Sequence, residues 1–173
     1  MVRAFVAVGS NIDPALNVQR CLLLLAGRVA LVNVSTVYET RAEGHPEQAD
    51  FYNCVVEIDT DQAARDLKFN VLRFIESSLK RERSADKYAP RTIDLDLILY
   101  GDLVLKTSDV VLPDPDILRR FFIAAPLAEL APGLILPGSD IRIRDIAARL
   151  PREDTRPLES YTARLRQILK LGS

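Results

Sequence analysis

Apolar and polar positions alternate along this chain in runs that mark out its elements one after another. Residues 3–8, Arg-Ala-Phe-Val-Ala-Val, read as a largely buried strand ended by Gly9-Ser10-Asn11. Asp13-Pro14 supplies an N-cap followed by proline at the first helical position, and the helix it opens runs to about Ala26 with Gly27 past its end. A valine-rich second strand covers 29–39. The polar loop Thr40–Asp50 is eleven residues long, more than a hairpin needs. In a third strand, Phe51–Ile58, Tyr52, Cys54, Val56 and Ile58 make the apolar face, leaving Phe51, Asn53 and Glu57 opposite. Asp61 is placed to cap a helix over about 62–80, striped by Leu67, Val71, Leu72, Ile75 and Leu79.

The next strand is Arg91–Tyr100. Its alternation sends Ile93, Leu95, Leu97 and Leu99 into a core and Thr92, Asp94, Asp96, Ile98 and Tyr100 to the other face. Gly101-Asp102 reads as a turn before a short strand at 103–105. Pro113 and Pro115 introduce a helical stretch containing Arg119, Arg120, Phe121 and Phe122. Pro126 is expected to open another short helix over Leu127–Leu130, stopped by Pro132-Gly133, and the tail to add helices near 144–150 and 157–171. The order β-α-β-β-α-β plus an extension predicts an α+β domain: a ferredoxin-like, mainly antiparallel sheet with helices on one face and the other free for a ligand. A single domain over 1–173 is expected, with a core of 1–138 and a C-terminal helical extension of 139–173.

Composition narrows the function. With 48% hydrophobic and 27% charged residues and a net charge of −1, the chain has the make-up of a soluble globular protein and no overall basic field to recruit nucleic acid. No apolar run approaches the ~20 residues that span a bilayer, and the N-terminus lacks a signal-peptide pattern, so a cytoplasmic location is expected. Cys21 and Cys54 both fall on apolar faces and read as small buried hydrophobes. His45 reads as an exposed loop residue. One histidine and two buried cysteines make neither a zinc site nor a histidine-based triad.

Candidate chemistry centres on Asp94 and Asp96. Two carboxylates at i and i+2 on one strand face sit about 7 Å apart and repel unless hydrated or bridged. Mg²⁺ suits such a pair, because it takes carboxylate oxygens and shares its remaining positions with phosphate. Directly before them, Arg81, Arg83, Lys87 and Arg91 lie within eleven residues, a loop suited to bidentate contact with a polyphosphate. A hydrated strand face and a solvated cationic loop are the plain alternatives. Phe51 and Asn53 suit a flat heterocycle, the ring stacking and the amide reading an edge, with Phe122 available from the other side. Ser10 and Asn11 are assigned to turn and cap duty.

The segment Tyr88-Ala89-Pro90-Arg91-Thr92-Ile93-Asp94-Leu95-Asp96-Leu97-Ile98 resembles the signature of the 6-hydroxymethyl-7,8-dihydropterin pyrophosphokinase family. Val8-Gly9-Ser10-Asn11, Tyr38-Glu39-Thr40 with Gly44 and Gln48, Phe51-Tyr52-Asn53, Ile75-Glu76, Arg81-Glu82-Arg83, Arg120-Phe121-Phe122 and Pro126–Leu130 extend the likeness in register over about 3–138. The resemblance implies transfer of pyrophosphate from ATP to the pterin hydroxymethyl group, with release of AMP and use of two Mg²⁺, in folate biosynthesis. By the same resemblance, Asp94 and Asp96 bridge the metals. Glu76, Arg81, Arg83, Arg91, Pro115 and Arg120 serve the nucleotide. Thr40, Gly44, Phe51, Asn53, Tyr88 and Phe122 serve the pterin, and Arg81, Arg83 and Arg91 act with the aspartates in catalysis. The loop from Lys80 to Ala89 is expected to close over both ligands.

The chain departs from the family pattern at Asp114, where Pro-His-Pro is usual, at Asp109, and at Arg41 and Glu43. Two further readings compete: another D-x-D nucleotidyl- or glycosyl-transferase, or a non-catalytic ferredoxin-like binding module. Small molecules are the expected partners, without nucleic acid or membrane. A monomer is expected, with a dimer as the alternative.

Overall fold

The computed structural model describes residues 1–44, 47–86, 88–152 and 154–171. His45, expected as an exposed loop residue, and Lys87, expected in the cationic loop, lie outside the described residues. Strand β1 (Val2–Ser10) runs between β4 (Phe51–Thr60) and β5 (Asp94–Tyr100), antiparallel to both. β4 also pairs with β2 (Ala30–Val34) and β3 (Tyr38–Thr40), so the expected single strand over 29–39 is two strands interrupted at 35–37. At the break Ser35 is fully buried, its Oγ accepting from Val55 N at 2.9 Å. The sheet is the mainly antiparallel, ferredoxin-like arrangement the pattern predicts.

Helix α1 (Pro14–Ala26) packs Val18, Cys21, Leu22 and Leu25 onto one sheet face. Asp13 stands at its N-cap but its carboxylate accepts no capping hydrogen bond; its backbone is left-handed there (φ 43°), and Pro14 begins the helix. The expected helix over 62–80 is a composite: α2 (Ala64–Asp66), a π-helical stretch Leu67–Leu72 and α3 (Arg73–Ser78). Asp61 does not cap it; Ala63 stands at the N-cap and Asp61 pairs with the N-terminal amine at 2.9 Å. The apolar stripe is nonetheless as predicted, with Leu67, Val71, Leu72 and Ile75 buried and Leu79 packed against them.

The opposite face is not left free along its length. Helices α4 (Phe121–Leu130) and α5 (Ile143–Arg149) cover it with a second apolar cluster around Phe5, Val55, Ile98, Leu99, Ile123, Leu127 and Ile146. Leu99 therefore leaves the face assigned to it. Phe5 pairs with Leu99 and Val6 with Leu97, a bulge at Ile98 that shifts the alternation by one residue. Pro126 lies inside α4 rather than opening a helix of its own, and a 3₁₀ turn, Pro115–Leu118, precedes it. β6 (Leu105–Lys106) and β7 (Val111–Leu112) form a separate small hairpin.

The tail is woven into the sheet. β8 (Thr155–Pro157) pairs with β3, and α6 (Glu159–Ile168) buries Leu165 in the first core. Thr162 Oγ1 accepts from Val37 N at 2.9 Å, and Arg166 donates to Val34 O and to Glu129. Tail and β2–β3 break thus hold each other.

Candidate active site

Register builds the floor of the site. Tyr38 pairs with Asn53, Asn53 with Gly9, and Gly9 with Asp94; one step along, Val55 pairs with Ala7 and Ala7 with Asp96. Residues opposite one another in a ladder share a face, so Asn53, Gly9 and Asp94 lie side by side, beyond the end of the ground that α4 covers. A Cβ on Gly9 would come within 2.9 Å of Asn53 Oδ1, which is why glycine separates the two polar side chains. The result is a cavity of about 230 Å³.

Of the predicted site residues, Thr40, Phe51, Asn53, Tyr88, Arg91, Asp94, Asp96, Arg120 and Phe122 line this cavity. Thr40 and Asn53 are both largely buried, and Asn53 Nδ2 donates to Thr40 Oγ1 at 2.7 Å, which fixes the amide. The guanidinium of Arg91 lies 5.7 Å from the Phe51 ring centre, and that of Arg120 lies 5.7 Å from the Phe122 ring centre. Gly44 has φ +77°, and a Cβ there would come within 2.8 Å of the Tyr88 ring, so this glycine answers both a backbone and a space requirement.

Glu76, Arg81 and Arg83 line a second hollow with Phe69, Arg73 and Ser77. Glu76 is 3% exposed; its Oε1 accepts from Leu95 N at 3.0 Å and from Arg81 Nη1 at 3.2 Å, and its Oε2 accepts from Arg83 Nη2 at 2.6 Å. A buried carboxylate held by two guanidiniums is compensated where a bare one would be costly. Arg81 links the two hollows, because the same Nη1 also donates to Ile93 O at 3.0 Å and to Asp94 Oδ1. Arg91 Nη1 donates to Asp94 Oδ2 at 2.6 Å, so Asp94 lies between two arginines. Arg81 Nε is buried without a hydrogen-bond partner among the described residues. Pro115 lines neither hollow and opens the 3₁₀ turn.

Asp96 differs from its neighbour. Its side chain is exposed along the open cavity, yet the carboxyl is pushed up to about 7, first because the surrounding protein displaces part of its water and then because Asp94, Asp114 and Glu76 add negative charge that Arg81 offsets only in part. Asp94 and Asp96 together offer hard oxygen donors on one face, which fits Mg²⁺. Asp114 takes a structural role: its Oδ1 accepts from Asp116 N at 2.8 Å and caps the 3₁₀ turn, while burial raises its carboxyl above the ordinary range. Asp109 is bound by Arg65 at 3.2 Å, a contact that lowers its carboxyl, and lines neither hollow.

Sequence reasoning undervalued the Ser10-Asn11 corner. Ser10 Oγ donates to Thr92 O at 2.6 Å; Asn11 donates to Gln48 Oε1 and Ala49 O and accepts Arg91 N at 2.8 Å. The corner therefore ties the end of β1 to the loop before β4 and to Arg91, rather than capping α1. Gly9 as floor and Asp116 and Ile123 as cavity wall were also missed. An isolated glycine at a strand end was the one available signal, since it often marks a close approach. Cys21 and Cys54 are buried free thiols as expected, with burial pushing Cys54 up to about 12.

Comparison with known proteins follows the same lines. A family model described as 7,8-dihydro-6-hydroxymethylpterin-pyrophosphokinase (HPPK) matches residues 5–132. The chain is 31% identical over 144 residues to 2-amino-4-hydroxy-6-hydroxymethyldihydropteridine pyrophosphokinase of Haemophilus influenzae, covering 82% of this chain and 89% of that protein. To the enzyme of the same name from Bacillus subtilis it is 36% identical over 130 residues, covering 73% and 77%. The folic acid synthesis protein FOL1 of Dictyostelium discoideum is 32% identical over 148 residues, 85% of this chain, of which the chain spans only 22%. Wild-type HPPK-DHPS of Plasmodium falciparum with pteroate superposes with a TM-score of 0.67 at 13% identity, covering 98% of this chain and 46% of that one; this likeness is one of fold.

Proposed function

The chain belongs to the 7,8-dihydro-6-hydroxymethylpterin-pyrophosphokinase family, which carries transfer of pyrophosphate from ATP to hydroxymethyldihydropterin in folate biosynthesis, and on that premise we propose how its own residues perform the transfer. The pterin enters the cavity over Gly9, between the rings of Phe51 and Phe122, and Asn53 reads its edge with the amide that Thr40 orients. Backbone groups of the loop from Thr40 to Gly44 complete that edge, and Tyr88 borders the same space from the opposite loop. The triphosphate lies along Arg81, Arg83, Arg91 and Arg120, with Glu76 holding the first two in place and Pro115 near the nucleotide. The observation that carries the reading is that Asp94 and Asp96 share one cavity with Phe51, Asn53 and Phe122.

In the reaction, the pterin hydroxyl oxygen forms a bond to the β-phosphorus while the bond from that phosphorus to the α–β bridging oxygen breaks. AMP leaves and the hydroxyl proton passes to water. Two Mg²⁺ held by Asp94 and Asp96, when bound, supply charge neutralisation and Lewis acidity at the phosphates. The remaining work is positioning and electrostatics. Arg91 and Arg81, now on Asp94, would offer their guanidinium groups to phosphate oxygens, and Asp94 and Asp96 are the residues that would hold the metal. The loop 80–89 closes over both ligands and excludes water, so that the pterin rather than water accepts the pyrophosphate. We further read the chain as one domain acting as a cytoplasmic monomer.

The test is product analysis. Incubating the chain with ATP, 6-hydroxymethyl-7,8-dihydropterin and Mg²⁺ should give AMP and pterin pyrophosphate one for one, with no product when EDTA replaces the metal. Formation of ADP, or of AMP without the pterin, contradicts the reading.

A further inference from the structure

Glu43 and Arg120 form an ion pair across the mouth of the cavity, between the loop that follows β3 and the residue that precedes α4. Both line the cavity. Arg120 is also approached by Asp116 at 3.5 Å, so two carboxylates surround one guanidinium. Glu43 stands on the short run Arg41–Gly44. The start of that run is held by Arg41 against Asp154 of the tail at 3.5 Å, and its end by Gly44 against the Tyr88 ring. The Glu43–Arg120 pair thus joins the pterin-facing loop to a cation that the proposed function gives to phosphate.

We propose that Glu43 is a latch on the nucleotide site: its carboxylate occupies Arg120 in the ligand-free protein, so that a polyphosphate must displace it, and its release frees the loop 41–44 at the pterin end. The proposal rests on the reading of Arg120 as a phosphate-binding residue. Charge decides the direction. With Glu43 and Asp116 both beside it, Arg120 presents no net positive charge to an incoming triphosphate. Phosphate oxygens win because they bring several negative charges and bidentate geometry to one guanidinium. The displaced carboxylate then moves away with its loop, under repulsion from the same phosphates. Glu43 is therefore a residue whose removal improves nucleotide binding, the reverse of what a plain wall residue does.

The pair is half exposed, which sets the size of the effect. Exposed pairs of this kind are worth little, so Glu43→Gln should tighten a non-hydrolysable ATP analogue with Mg²⁺ about two- to five-fold, read by titration calorimetry without pterin. The gain should shrink as ionic strength rises from low to about 0.5 M, because screening weakens the pair it removes. It should vanish when Arg120 is already Met, since the latch then has nothing to hold. Unchanged or weaker binding by Glu43→Gln overturns the latch, as does a gain that persists in the Arg120→Met background. AMP release by the unaltered chain is measured alongside; its absence would remove the parent reading and the latch with it, whereas AMP release with no Glu43→Gln gain removes the latch alone.

Discussion

At the scale of single residues, the site is defined by how unlike Asp94 and Asp96 are. Asp94 is bonded to Arg81 and Arg91, while Asp96 faces the cavity and holds its proton up to about 7. The sign of the consequence follows from linkage. An ordinary aspartate titrates near 4 in the unfolded chain, so the folded state binds the extra proton between about pH 4 and 7. Stability contributed by that proton is present in acid and lost as pH rises through 7. Asp96→Asn removes the burden, so in metal-free buffer it should raise the melting temperature by a few degrees at pH 8 and leave it nearly unchanged at pH 4. An equal rise at both pH values would mean that the carboxylate is not strained by its surroundings. The residue pattern itself was legible: two aspartates two apart on one strand, an aromatic and an amide two apart on another. What alternation alone did not supply was that Arg81 and Arg91 claim Asp94, because such pairing depends on a loop folding back over the strand.

At the scale of elements, β1, β4 and β5 were placed by their apolar alternation, β7 and β8 were too short to show one, and the other errors have physical causes. The bulge at Ile98 moves Leu99 into the second core, because an added residue reverses every later side chain. The break at 35–37 is invisible in a valine-rich run whose propensity is uniform, yet Ser35 hydrogen-bonds into the sheet and ends β2. Pro126 was read as a helix start, whereas burial between α4 and the sheet holds it inside a helix that continues through it. The tail was legible as helices but not as a brace. β8 extends the sheet beside β3, the strand that presents Thr40, and Leu165 reaches the first core. Leu165→Ala should therefore cost about 2–5 kcal/mol of stability in urea unfolding, as for other buried leucines. A loss well under 1 kcal/mol would show that α6 is peripheral.

At the scale of the whole molecule, one sheet serves two purposes on its two faces. One face buries α1, the composite helix and α6; the other is covered by α4 and α5 over part of its length, and where they stop the polar row Asn53–Gly9–Asp94 is left open. The expected wholly open face would have offered a platform of the kind RNA-binding sheets use. The observed face offers a half-open cavity of about 230 Å³, the size of a small molecule rather than of a nucleic-acid strand. Arginines line hollows on either side of Asp94, and under the proposed function these would set phosphate next to the heterocycle. The most direct test of that arrangement is single-turnover AMP formation from saturating ATP and pterin, by the unaltered chain and by Asp94→Ala and Asp96→Ala, with circular dichroism on each. The account predicts native spectra with AMP formation slowed at least about a thousand-fold in either variant, as loss of a group acting on the transition state does. Near-normal AMP formation in either one would show that the aspartate pair does not hold the ions on which the transfer depends.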